Sequence, residues 1–330
     1  MVKRSLNKEI SPADFEFLVS KATKAPSGHN TQPWRFRQNR SVVEIHPDFD
    51  RRLPVVDPDD RELFVSLGCA AENLCLAAQN IGYESSVAVG DTGVIAVALA
   101  EGADVKSSPL FEQIDLRQTN RSIYTGEEIA LDALKRLQAI RSEDGVSVHY
   151  YARQTKQFND IEQCVLQGNT RQMQNESFKA ELKSWMRFNK KHQDQTLDGL
   201  SYAVFGAPNV PCWMAEPIMS MAINTRTQNK ADREKIDSAS HLVLFTTREN
   251  SRREWVNLGR TLQRFLLTAT ELGIAHAYLN QPNEQPEIAA EMAKTLDLDG
   301  EYPTVLLRVG YGEQQAYSKR RSVGGVIAAD

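Results

Sequence analysis

Apolar residues first recur at helical spacing in Phe15, Leu18, Val19 and Ala22. Ser11 and Pro12 stand just ahead of them, an N-cap followed by a residue whose missing N–H does no harm in a first turn. The period then shortens to two. Trp34-Arg35-Phe36 and Val42-Val43-Glu44-Ile45 alternate, and across Gln38-Asn39-Arg40 they predict a β-hairpin. Helical spacing returns from about Asp60 to Asn80 and stops at Gly82, where a glycine can close the helix in a left-handed turn. Ser86 to Gly90 and Val94 to Ala100 then predict strands, and Leu131 to Leu137 another amphipathic helix.

A shift of 191 residues lays Leu67-Gly68, Leu76-Ala77-Ala78 and Ile81-Gly82 on Leu258-Gly259, Leu267-Thr268-Ala269 and Leu272-Gly273 without a gap. Each copy follows an apolar strand, Val42 to Ile45 in one case and His241 to Thr246 in the other. That shared order favours duplication over a coincidence of Leu, Ala and Gly. Between the copies, from about 154 to 237, runs a polar helical insertion that contains Trp185, Met186 and Phe188 and includes the breaker-rich Gly206-Ala207-Pro208-Asn209-Val210-Pro211. It reads either as a lid over a site or as extra helices packed outside. The division expected is a first repeat over 1–108 and a second over 109–330, the second carrying the insertion.

The length of 330 residues suits two domains or one large duplicated unit. With 41% hydrophobic and 25% charged residues the chain is globular in composition, which excludes disordered and low-complexity classes. A net charge of −4 without a long basic run argues against nucleic acid as a partner and for small molecules. No run of about 18 apolar residues offers a membrane span. The basic start meets Asp14, Phe15 and Glu16 before any apolar stretch, so no signal peptide is read. Cys69, Cys75, Cys164 and Cys212 lack metal or redox spacing and read as buried thiols. A cytoplasmic chain is the expectation.

Several chemistries lack their motifs. There is no P-loop, no Rossmann glycine fingerprint around Val309-Gly310-Tyr311-Gly312, no HExxH among the six histidines and no G-x-S-x-G elbow. What the chain does contain is Lys24-Ala25-Pro26-Ser27-Gly28-His29-Asn30-Thr31-Gln32-Pro33-Trp34, a run of turn formers between a helix and a strand. It resembles the A-P-S-x-x-N-x-Q-P-W signature of the nitroreductase flavoproteins. Arg117-Gln118-Thr119-Asn120-Arg121 is similar to the family's R-x-S/T-x-R segment, and the stretch from Gly300 to Arg321 resembles its last strand and basic tail. Ordinary members carry the arginine segment ahead of the A-P-S signature and build two sites across a homodimer. Here that order is inverted, which resembles the tandem-duplicated, Acg-like subgroup.

The resemblance implies an α+β, nitroreductase-like fold, with antiparallel-rich sheets flanked by helices in a single-chain, monomeric pseudo-dimer that keeps one FMN site. It assigns Arg117, Arg320 and Arg321 to the flavin phosphate, where guanidinium forks give bidentate bonds. Thr119 falls to the ribityl chain or phosphate. Arg121 falls near N1 and O2, where a cation raises the flavin potential. Pro26, Ser27, Asn30 and Gln32 fall to the ring edge. Leu279, Asn280 and Gln281 stand where the family places a backbone N–H against N5, although the usual P-x-E-G is absent. Hydride exchange between NAD(P)H and a small planar acceptor, nitroaromatic, quinone or similar, needs no catalytic side chain. His29 and His276 lie near the site as conceivable proton donors or as structural residues. The competing readings are an FMN-sequestering protein whose insertion covers the flavin, and a scaffold without flavin.

Overall fold

The computed structural model describes residues 9–206, 208–211, 213, 214, 217 and 224–328. α1 (Pro12–Ala22) begins as its sequence dictates, with Ser11 Oγ accepting from Asp14 N at 3.0 Å. β1 (Trp34–Asn39) and β2 (Val42–Pro47) form the hairpin, and Arg40 turns it with φ of +55°. α2 (Arg61–Asn80) follows, then β3 (Tyr83–Val89) and β4 (Ile95–Glu101). All pairings are antiparallel, in the sheet order β1-β2-β4-β3.

The second half repeats this plan. α3 (Leu131–Gln138), β5 (Val146–Ala152), β8 (His241–Thr247), α8 (Arg252–Glu271), β9 (Ala275–Tyr278) and β10 (Tyr302–Gly310) run in the same order, and their antiparallel sheet is arranged β5-β8-β10-β9. In both sheets the chain therefore lays its first, second, fourth and third strands side by side. The insertion occupies the place of the first unit's hairpin turn, between β5 and β8. α9 (Pro286–Thr295) is a smaller addition between β9 and β10.

α2 and α8 are buried along most of their length because they lie between the sheets. They cross where the shifted pattern aligns Gly68 with Gly259. A Cβ on Gly68 would stand 2.2 Å from Val256 O, and one on Gly259 would stand 2.1 Å from Val65 O. Val65 and Val256 are themselves 191 residues apart, so the contact is reciprocal. One core runs from Leu18, Phe36 and Leu67 across to Phe265 and Leu307, so the two units are not separately stabilised domains.

The insertion divides between two neighbours. α4 (Lys156–Gln174) and α7 (Thr225–Asp237) pack with α9 over the outer face of the second sheet, burying Phe158, Ile161, Val165, Ile236 and Ile288. α5 (Glu176–Ser184) instead reaches the first unit, where the Glu181 carboxylate accepts the N–H groups of Val55 and Val56. After it come the short parallel pair β6 (Met186–Arg187) and β7 (Leu200–Ser201), with α6 (Lys190–Thr196) between them. Trp213 is 75% exposed. Cys212 and the Phe205 side chain lie outside the described residues, and Cys69, Cys75 and Cys164 are buried free thiols.

Beyond β10 the tail returns to the first unit. Phe36 N donates to Val326 O and Ala328 N to Phe36 O, both at 2.8 Å, which extends the first sheet past β1. Among the described residues no helix is long and apolar enough to cross a membrane, and no cluster of His, Cys, Asp and Glu suits a metal ion.

Candidate functional site

The turn between α1 and β1 is held in an unusual shape. His29, Asn30 and Gln32 all have positive φ (46°, 54° and 54°), a conformation that costs non-glycine residues about 1 kcal/mol or more each and persists only where surroundings enforce it. Ser27 Oγ accepts Gln32 N at 2.9 Å. Asn30 Nδ2 donates to Gly199 O (3.1 Å) and Lys319 O (3.2 Å), while its Oδ1 accepts from Arg320 Nη1 (3.0 Å). Gln32 Nε2 donates to Leu197 O (2.9 Å) and its Oε1 accepts Arg321 N (2.8 Å). The turn is thus clamped between the insertion and the tail.

Two guanidinium groups meet behind it. Arg117, 5% exposed, donates Nη2 to Lys24 O at 3.0 Å, and its Nε and Nη1 are buried without a hydrogen-bond partner among the described residues. Arg320 donates to the same carbonyl at 3.4 Å, to Thr23 O at 3.0 Å and to Ala25 O at 3.2 Å. Among the described residues neither makes an ion pair. Burial lowers the pKa of Arg117 and, with the Arg117 charge adding, pushes Arg320 down to about 9. Arg121 is pushed down to about 10, chiefly by burial, with Arg308 contributing. The same surplus acts on the imidazoles: burial and then Arg121 bring His29 to about 4, and burial and then Arg117 bring His276 to about 3. Both shifts favour the neutral imidazole near pH 7.

Arg321 is not part of this pair. It faces Asp48 at 3.9 Å and donates to Gln32 O and Gly325 O. Thr119 is half-buried two residues after Arg117, and Pro26 is buried in the turn opposite.

In the segment after β9, side chains and backbone divide their roles. Leu279 N bonds Leu306 O at 2.9 Å. Asn280 Nδ2 donates to Glu62 Oε1 and its Oδ1 accepts Leu306 N, both at 3.0 Å, and Gln281 Nε2 donates to Asp232 Oδ2 at 3.0 Å. The backbone N–H groups of Asn280 and Gln281 have no hydrogen-bond partner among the described residues. Glu62 also faces Glu284, whose pKa is raised by burial first and by Glu62 second. The same two causes push Asp57 up to about 7. No motif marks these carboxyls, because they meet only through the fold.

The strap from Trp185 to Ser201 is fastened at Asp198, another residue that sequence reasoning missed. Asp198 pairs with Arg187 at 2.7 Å and with Arg51, while Arg51 Nε donates to Thr31 O at 2.5 Å. Both guanidinium groups stack on Trp185, at 5.4 and 5.5 Å.

A 191-residue shift takes Cys69 and Asn73 of α2 to Arg260 and Arg264 of α8. There Arg260 contacts Glu72 and Glu143 at 3.1 Å each, and Arg264 contacts them at 2.6 Å each. Charge is balanced within that cluster, in contrast to the unpaired cations around Lys24.

Residues 117–311 match the model of the nitroreductase family. Two Mycobacterium tuberculosis proteins, provisionally named NAD(P)H nitroreductases MT3217 and Rv3131, are each 27% identical over 320 residues, covering 89% of this chain and 84% of theirs. Among solved structures, a nitroreductase with bound FMN from Bacteroides fragilis is 15% identical, with 68% of this chain and 100% of that one covered and a TM-score of 0.39. The FMN-dependent nitroreductase NfnB of Mycobacterium smegmatis in complex with NADPH is 13% identical, with 65% and 90% covered and a TM-score of 0.40.

Proposed function

The chain belongs to the nitroreductase family, and from that premise we propose that it is an FMN-dependent oxidoreductase that passes hydride from NAD(P)H to nitroaromatic, quinone or similar electrophilic acceptors. The observation that carries the cofactor is the buried cation pair at Lys24 O. Two guanidinium groups without a carboxylate partner among the described residues, one with two donor atoms unpartnered there, form a seat for a dianion. Arg117 and Arg320 would hold the phosphate, with Thr119 beside them and Arg121 supplying positive charge at the ring. Pro26 and Ser27 would face the ring from the other unit, and the N–H groups of Asn280 and Gln281, without a partner among the described residues, would be offered to the flavin as donors. Asn30, Gln32 and Arg321 support the seat by fixing the turn and tail. Bound there, FMN supplies the centre that accepts and returns hydride, and the chain's work is to orient, exclude water and provide fixed charge.

The repeated strand order supports a tandem duplication folded as a pseudo-dimer of the Acg-like kind. The internally neutralised Glu72, Glu143, Arg260 and Arg264 support a single flavin site. The phosphate seat is tested by titrating the apoprotein with FMN and with riboflavin. FMN should bind at least about 100-fold more tightly, on the scale of two charge-assisted bonds. Equal affinity would remove the phosphate seat and the reading built on it.

A second reading, storage or sequestration of FMN, is favoured by the strap, since Gly199 and Leu197 cover the turn that carries Asn30 and Gln32. Rapid anaerobic mixing of the FMN-loaded protein with NADPH decides between them: fast bleaching supports the reductase, and a flavin that stays oxidised supports storage.

A further inference from the structure

Arg308 lies in the middle of β10, 1% exposed, and among the fully buried side chains of the described residues only Trp34 is larger. Its neighbours Leu307 and Val309 face the shared core, so Arg308 projects from the opposite face, towards the layer that includes α7. A buried guanidinium costs several kcal/mol unless its donors are satisfied. Arg308 makes no ion pair among the described residues. Its Nη2 donates to Asn120 O (3.2 Å) and Ser122 O (2.7 Å), its Nη1 reaches Lys235 O (3.5 Å), and it stacks 4.0 Å over the Tyr124 ring.

Two of these acceptors, Asn120 and Ser122, flank Arg121, and the third, Lys235, lies in the last turn of α7, the negative end of its dipole. The loop is tied further by Tyr124 Oη to Asn120 O (3.0 Å), Asn120 N to His276 O (2.9 Å) and Asn120 Nδ2 to Glu313 O (2.7 Å). We propose that Arg308 is a positioning residue for the flavin site, holding both peptide carbonyls around Arg121 and linking that loop to the end of the insertion's α7. The inference rests on the flavin reading above. The charge of Arg308 is also felt at Arg121, where it adds to burial in lowering the pKa.

The test compares the wild type with Arg308→Met and Arg308→Lys in three measurements: amide hydrogen exchange over residues 118–124 of the apoprotein, FMN affinity, and the two-electron flavin potential. In Arg308→Met, exchange should quicken at least about tenfold and FMN bind at least about tenfold more weakly. Its potential should fall by about 30 mV, the equivalent of a tenfold shift in the redox equilibrium. Arg308→Lys keeps the charge but not the fork, so affinity should fall and exchange quicken, while the potential falls by less than in Arg308→Met. Wild-type exchange and potential in a folded Arg308→Met overturn the proposal. If that variant does not fold, Arg308→Lys decides, and wild-type affinity and exchange in it overturn the proposal equally. A wild type that takes up no FMN overturns the flavin reading, and apoprotein exchange still judges the hold of Arg308 on the loop.

Discussion

Arg117 illustrates how a residue can serve binding at the expense of the empty fold. Its two unpartnered donors make it a poor contributor to apoprotein stability, and replacing a buried charge with an apolar side chain is commonly neutral or favourable. Arg117→Met should leave the apoprotein's melting temperature unchanged or raised, while weakening FMN binding by about 1.5 to 3 kcal/mol. Unaltered FMN affinity in a fluorescence titration would remove Arg117 from the seat. His29 supplies a pH dependence. Because folding lowers its pKa from 6.5 to about 4, the unfolded chain takes up a proton that the native state refuses. Stability from this group is complete above pH 6.5 and is lost as pH falls towards 4. Asn tolerates the positive φ of this position, so His29→Asn should flatten the acid limb of apoprotein stability between pH 6.5 and 4. An acid limb identical to wild type in urea unfolding would show that His29 titrates normally.

At the level of elements, the crossing of α2 and α8 is the tightest constraint. Gly259→Ala forces a Cβ against Val65 O at 2.1 Å, so the helices must part despite the better helix propensity of alanine. A net loss of about 1 to 3 kcal/mol is expected from the urea midpoint, with a similar loss for Gly68→Ala because the contact is reciprocal. A stabilised Gly259→Ala would contradict the close crossing. The strap makes its own prediction. Asp198→Ala leaves Arg51 and Arg187 without their shared carboxylate and should loosen residues 185–201 over the Asn30 turn. If the strap limits access, the variant's flavin should be reduced by NADPH several-fold faster, with FMN still bound. A rate equal to wild type in stopped-flow mixing would show that the strap does not limit access.

Across the whole molecule, what sequence reveals follows the range of the forces involved. α1, the hairpin and the ends of α2 depend on local signals such as Ser11, Pro12, alternation and Gly82, and each is found where the pattern places it. The 191-residue pattern brings Gly68 and Gly259 to one steric crossing, a coincidence of spacing and contact that the sequence could register only as spacing. The shared sheet order depends on pairing between distant segments, which periodicity does not record. Arg117 and Arg320 meet at Lys24 O, a contact between distant segments, and motifs could not show that Asn30, Gln32 and Arg321 are engaged by the tail and insertion. Arg308 did leave a trace, a lone arginine inside the apolar run Val305 to Val309, a position that makes sense only with satisfied donors. Glu62 and Glu284 left none, since neither stands in a motif.

The central claim is one redox-active FMN per chain, seated by Arg117 and Arg320 and open to nicotinamide. Its most direct test is an anaerobic titration of the FMN-loaded protein with NADPH, followed by flavin absorbance. The account predicts bleaching that ends at one NADPH per chain. A flavin that remains oxidised through excess NADPH, or an end point of two per chain, would contradict it.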